Sequence, residues 1–283
     1  MRKIPVFFHI PKNAGTYVSD SMLSALRYYR RTYTDWLKST TEEYNSIKFL
    51  QITRSGFVIA KFLIGDPSGF CKTVVNFDKK HSDIEWDIDI NNLPIDLFEK
   101  VFLFGVVIEA GGFRNFRDIL KIISNYDLYK FIILREPFAR AQSLYNYITS
   151  ASSLHEKTHS LIKSETLEDY ILSSQLEDSW LIRNLTNMHD SVGVGEIHYN
   201  EACDILDSFA VYDIKDANMA VFDSFCNCYY ADVKKTDLMH LEHISKNETL
   251  SKKIKLEELP DQVGCVFEAR TYWDRMLYKK YCK

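Results

Sequence analysis

The sequence predicts an α/β fold, a P-loop-like parallel sheet flanked by helices with a helix-rich C-terminal half. Three features predict it. Short apolar runs that suit buried strands alternate with stretches of helical period, the pattern of strand–helix–strand units. One run, Val101–Ile108, is rich in valine and phenylalanine without polar alternation, as in a strand covered on both faces. From Ser153 to Asp207 the periodicity is mostly helical.

The elements follow in order. Ile4–Ile10 reads as a buried strand closed by Pro11. After Lys12-Asn13-Ala14-Gly15-Thr16, the residues Val18, Met22, Ala25, Leu26 and Tyr29 recur along one helix face. Phe57–Ile64 and Lys72–Phe77 read as strands; Asp78–Asn92, acidic and without periodicity, reads as a loop. After Val101–Ile108 come a helix over Phe113–Ile123, a strand over Lys130–Leu134 and a turn at Glu136-Pro137. A helix over about Phe138–Ile148 follows, and proline suits its start because the missing N–H would be unpaired there. Phe209–Tyr212 is a short strand before another helix. Pro260–Tyr281 reads as one long amphipathic helix with Val263, Val266, Phe267, Trp273 and Leu277 inward.

Composition narrows the class. The 283 residues are 46% hydrophobic and 26% charged, enough to bury a sizeable core and unlike a disordered chain. A net charge of −4 argues against a generally basic nucleic-acid binder, so no nucleic-acid partner is expected. The longest uncharged apolar run, Val101–Ile108, is too short to span a bilayer, and no signal-peptide pattern precedes the first strand. A cytoplasmic protein without a membrane partner is expected. The six cysteines are scattered and read as reduced thiols. No metal is expected. Cys226-Asn-Cys228 has no second pair at ligand spacing, and His240 and His243 lack further ligands.

Ligands of parallel α/β sheets bind outside the carboxyl ends of the strands. Two motifs fall there. The first is His9-Ile10-Pro11-Lys12-Asn13-Ala14-Gly15-Thr16, between a strand and a helix. Free N–H groups and the helix dipole favour an anion at such a junction. Gly15 allows close approach, Thr16 offers a hydroxyl and Lys12 a positive charge. It is not a Walker A motif, because the lysine precedes the glycine and no first glycine exists. The second is Leu134-Arg135-Glu136-Pro137-Phe138-Ala139-Arg140-Ala141-Gln142-Ser143-Leu144-Tyr145. Here an arginine fork and a hydroxyl can hold a phosphate monoester.

Pro-Lys-x-x-Gly-Thr after an N-terminal strand resembles the 5′-phosphosulfate loop of sulfotransferases that use 3′-phosphoadenosine 5′-phosphosulfate (PAPS), and His-Ile-Pro-Lys resembles the carbohydrate or Golgi-type branch. The second motif is similar to the family's Arg-Asp-Pro-x-x-Arg-x-x-Ser-x-Tyr element, with Glu136 in place of aspartate. The resemblance implies a single sulfotransferase domain over 1–283 that moves a sulfuryl group from PAPS to an acceptor hydroxyl, releasing PAP. A carbohydrate is the expected acceptor; tyrosyl-protein or small-molecule sulfation is the nearest variant. It implies that Lys12 stabilises the leaving group and that Asn13, Ala14, Gly15, Thr16 and Tyr17 form the 5′-phosphate loop. Arg135 and Ser143 would bind the 3′-phosphate, and Arg140 would help hold the loop or be solvated. Relatives carry Gly-His where this chain has Gly105-Val106, so the base is sought elsewhere: Glu109, at the end of the apolar run, or His81 in the polar loop. A PAP-binding protein without turnover and a P-loop metabolite kinase are the alternative readings. Nothing in the residues sets the oligomeric state.

Overall fold

A computed structural model describes residues 3–22 except 16, 19 and 20; 47–65 except 55 and 56; 85–89; 106–149 except 112 and 125; 165–228 except 190; and 253–282. The elements in chain order are β1 (Ile4–His9), β2 (Ile47–Arg54), β3 (Phe57–Gly65), β4 (Glu85–Asp89), β5 (Val106–Gly111), α1 (Phe113–Ile122) and β6 (Leu128–Leu134). They continue with α2 (Pro137–Thr149), α3 (Leu167–Leu172), α4 (Trp180–Thr186), α5 (Glu196–Leu206), β7 (Ala210–Asp213), α6 (Ala217–Cys228), α7 (Asp261–Arg270) and α8 (Tyr272–Tyr281). The described residues between Gly15 and Met22 are also helical. The fold is mixed α/β, as expected. The strand expected at Lys72–Phe77 lies outside the described residues, as does the far end of the first helix, with Ala25, Leu26 and Tyr29.

The chain divides into two compact units. The first comprises Met1–His9, Gly15–Ile132 and Lys215–Ser245; the second comprises Ile10–Ala14, Ile133–Ile214 and Lys246–Lys283.

In the first unit the strand order is β4-β2-β3-β5-β1-β6. β1 is parallel to both β5 and β6, with Phe7 opposite Glu109 on one side and Phe131 on the other. The sheet is not parallel throughout, which corrects the expectation. β3 runs antiparallel to β2 and to β5. Only Ser55 and Gly56 separate β2 from β3 in sequence, and a two-residue connection joins antiparallel strands but cannot cross over to a parallel one. The acidic stretch expected to be a loop holds β4, paired parallel to β2. Its Trp86 and Ile88 alternate with Glu85, Asp87 and Asp89, the period of an edge strand with charged residues along it. Of the strand expected at Val101–Ile108, Val106–Ile108 lie in β5, which continues to Gly111, while 101–105 lie outside the described residues.

Apolar burial holds this unit together. Val6, Phe7 and Phe8 are buried on β1, Phe116 and Ile119 on α1, and Phe131 and Ile132 on β6. The rings of Phe7 and Phe131 lie 5.1 Å apart and those of Phe8 and Phe116 5.0 Å apart. Full burial of each such side chain contributes roughly 1.5–3 kcal/mol. α6 packs on β1.

The second unit takes up the last two residues of β6, Ile133 and Leu134, and β7 has the next place after β6 in the strand order. The rest is helical. Phe138 and Ala141 of α2 form one core with Leu167, Tyr170 and Ile171 of α3 and with Val263 and Phe267 of α7. Phe138 meets Phe267 edge to face at 5.3 Å. The long helix expected over Pro260–Tyr281 is two helices broken at Thr271. Thr271 turns its hydroxyl back on the Phe267 carbonyl at 2.8 Å, and its φ of −109° and ψ of 13° leave helical geometry. Arg270, just before the break, donates to the carbonyl oxygens of Ile171, Ser173 and Leu176 and pairs with Asp178. Among the described residues no helix is long and apolar enough to cross a membrane.

Candidate functional site

In the second unit, the loop after β1 is held in a turn by the Asn13 N–H, which donates to the Ile10 carbonyl at 3.1 Å. Lys12 and Ala14 have φ values of 70° and 62°, the left-handed region that non-glycine residues seldom enter. Left-handed positions in a turn are the backbone from which anion-holding nests are built, and strain of this kind concentrates at binding loops. Two side-chain contacts fix the loop from β6 and its continuation. Asn13 Nδ2 donates to the Ile133 carbonyl at 2.9 Å, and Arg135 Nη1 donates to the Lys12 carbonyl at 3.1 Å. The two sequence motifs therefore meet in space. Burial and the neighbouring Arg135 both lower the Lys12 pKa from its usual value. The ammonium rests over the Tyr147 ring, 3.7 Å from its centroid.

α2 starts as its sequence dictates. Pro137 takes the first helical position, and the Glu136 carboxylate accepts from the N–H groups of Phe138 at 3.0 Å and Ala139 at 2.7 Å. Glu136 thus caps the helix. Arg135 is half-buried, and desolvation lowers its pKa while Glu136 opposes the shift. Ser143 is half-buried on α2 and makes no side-chain hydrogen bond to a described residue.

Arg140 is not solvated. Its guanidinium lies on the Trp180 ring with Cζ 3.4 Å from the centroid, and its Nε is buried without a hydrogen-bond partner. Burial lowers its pKa to about 10, against the opposing pull of Asp274, Tyr170 and Glu177. Arg140 and Arg135 line one small cleft together with Asn13, Trp180, Glu177 and Asp274. Asn13 Oδ1 is also buried without a partner. Asp274 is turned away from both arginines' hydrogen bonds. Its two oxygens accept from the N–H groups of Leu181 at 2.9 Å and Ile182 at 3.0 Å. It caps α4 from α8, where the local N-cap residue Ser179 makes no side-chain cap bond. Burial outweighs those two donors and raises the Asp274 pKa to about 6.

In the first unit, Gly15 and Tyr17 are helical. Space, not backbone angle, explains the glycine. A Cβ there would lie 1.9 Å from Nε2 of the His9 ring, which stacks on Phe7 with centroids 5.7 Å apart. His9 therefore occupies the space a Cβ at Gly15 would need. Glu109 lies within β5, opposite Phe7 and Lys61, and not at the strand's end; its side chain is outside the described residues. Thr16 and His81 also lie outside the described residues.

Lys12, Asn13, Ala14, Arg135 and Ser143 thus fall in one unit, with Lys12, Asn13 and Arg135 in direct contact through the loop. Sequence reasoning missed Trp180, Asp274 and Tyr147. For Tyr147 a signal existed, since it follows Ser143 by one helical turn on the same face. No protein-family model matches the chain, and comparison with curated proteins finds no match either. Chemically, the arrangement offers a strained loop and cations without a salt-bridged carboxylate to an oxyanion. Among the described residues no carboxylate pairs with Lys12, Arg135 or Arg140.

Proposed function

We propose that the protein is a PAPS-dependent sulfotransferase with the sulfotransferase fold and a hydroxyl acceptor, a carbohydrate first among the candidates. The observation that carries this reading is the hydrogen bond from Arg135 to the Lys12 carbonyl. It joins the two motifs that the family resemblance assigns to opposite ends of one donor, and no feature of the sequence required them to touch.

In this reading Arg135 and Ser143 grip the 3′-phosphate and orient the donor. Lys12 faces the bridging oxygen between phosphorus and sulfur. As the acceptor oxygen bonds to sulfur, the bond from sulfur to the phosphate oxygen breaks and PAP leaves with that electron pair. Lys12 stabilises the growing charge on the leaving oxygen. The acceptor proton passes to a base, for which Glu109 and His81 remain the candidates.

Calorimetric titration with PAP and with ATP tests the donor site. Tight PAP binding that Lys12→Ala and Arg135→Ala each weaken at least tenfold is expected. A folded parent that ignores PAP overturns the reading, and ATP binding in its place favours a kinase. PAP binding without sulfuryl transfer to any acceptor class would point to the non-catalytic alternative.

A further inference from the structure

Lys12 has an unusual set of neighbours. It is partly buried beside Arg135, and both conditions disfavour its charge. A lysine so placed normally recovers its charge from a carboxylate, but no described residue supplies one. What lies against the ammonium instead is the face of the Tyr147 ring at 3.7 Å. An aromatic face attracts a cation without neutralising it and without offering a base to take its proton. Tyr147 stands on the same α2 face as Ser143, one turn further on. The ring is therefore beside the residues that the proposed function gives to the donor.

We propose that Tyr147 is a positioning residue for Lys12, whose ring holds the ammonium charged and unpaired until an anionic group takes it over. The holding contact follows from geometry alone. The takeover by PAPS or PAP rests on the sulfotransferase reading. A carboxylate in the same place would hold the lysine more tightly but would repel the incoming phosphosulfate and compete with it. The ring has neither effect. Its hydroxyl is not needed, since the contact is to the ring face. Among the described residues, the groups that act electrostatically on Lys12 are Arg135 and this ring, so removing the ring leaves Arg135 unopposed by any of them.

The test reads Lys12 directly. The folded protein is pulsed with an amine-acylating reagent across pH 7–11, and labelling of Lys12 is followed by peptide mass spectrometry. Because the ring favours the charged form, Tyr147→Leu should move the labelling midpoint down by about half a pH unit to one pH unit. Tyr147→Phe and Tyr147→Trp, which keep an aromatic face, should hold the parent midpoint or raise it. An unchanged midpoint in Tyr147→Leu overturns the proposal, as does a Tyr147→Phe midpoint that falls as far as that of the leucine variant. Should the leucine variant melt early, a downward midpoint in Tyr147→Trp would be equally fatal. The same labelling is repeated with PAP present. Protection of Lys12 by PAP in the parent supports the takeover, and PAP binding that leaves Lys12 labelling unchanged refutes it. A parent that binds no PAP at all removes the sulfotransferase reading and leaves the holding result standing.

Discussion

The Asn13 side chain donates to the Ile133 carbonyl at 2.9 Å, bridging 120 residues of sequence. Asn13 is only 2% exposed, so this bond stands in for water at both groups. Asn13→Ala strands the Ile133 carbonyl and frees the strained loop. A loss of about 1–3 kcal/mol in stability is expected by urea unfolding. PAP affinity should fall in parallel, and unchanged stability would show the bond to be dispensable.

Gly15 and His9 form a second dependent pair. Gly15→Ala places a methyl group 1.9 Å from the His9 ring, so the ring must swing off Phe7. Thermal denaturation should show a destabilisation of about 1–3 kcal/mol. Adding His9→Ser removes the obstacle. The double variant should recover most of the loss relative to His9→Ser alone, and strictly additive costs would mean that the clash is not the reason for the glycine.

Asp274 gives the stability a pH dependence of defined sign. Its folded pKa, about 6, lies above the unfolded value near 3.8. The folded state therefore holds the proton more tightly between those values, and the contribution is present below about pH 4 and lost as pH rises through 6. The full effect is of the order of 3 kcal/mol. Asp274→Asn cannot ionise. It should be less stable than the parent at pH 4.5, through its poorer cap on Leu181 and Ile182, and the deficit should shrink by pH 7. A deficit independent of pH in urea titrations would show that the carboxyl does not titrate in this range.

Arg140 is a buried cation without a hydrogen bond at Nε and with Arg135 lining the same cleft. Removing it relieves a buried charge but also takes away its pull on Asp274, and the two effects oppose each other. Arg140→Met should change the melting temperature by no more than the equivalent of about 1 kcal/mol while lowering PAP affinity, because the cleft loses positive charge. Weakened stability with intact affinity would make Arg140 a purely structural residue.

Some of this architecture was legible in sequence. β1 and β6 announce themselves as apolar runs, and Pro137 marks the start of α2. The motifs single out Lys12 and Arg135, which the structure brings into contact. β4 was not legible because three acids in five residues outweigh the alternation of Trp86 and Ile88. The break at Thr271 carries no glycine or proline to announce it; it comes from a side-chain hydroxyl bonding back to Phe267. Trp180 and Asp274 enter the site only because α2, α4 and α8 share the second unit's interior. Sequence spacing cannot report which helices will pack together, so neither residue carried a local signal.

The alternation of the chain between the two units has a temporal consequence. Ile10–Ala14 belongs to the second unit, whose other parts begin at Ile133. On the ribosome, Lys12 and Asn13 emerge well before Ile133, Arg135 and Tyr147 exist to restrain them. Domains made of one contiguous stretch can fold as they emerge. This loop has to wait for its anchors. It is translated before every one of its anchors and can be completed only after them, so a nascent chain stopped before Ile133 should carry the motif without the contacts that hold it in place.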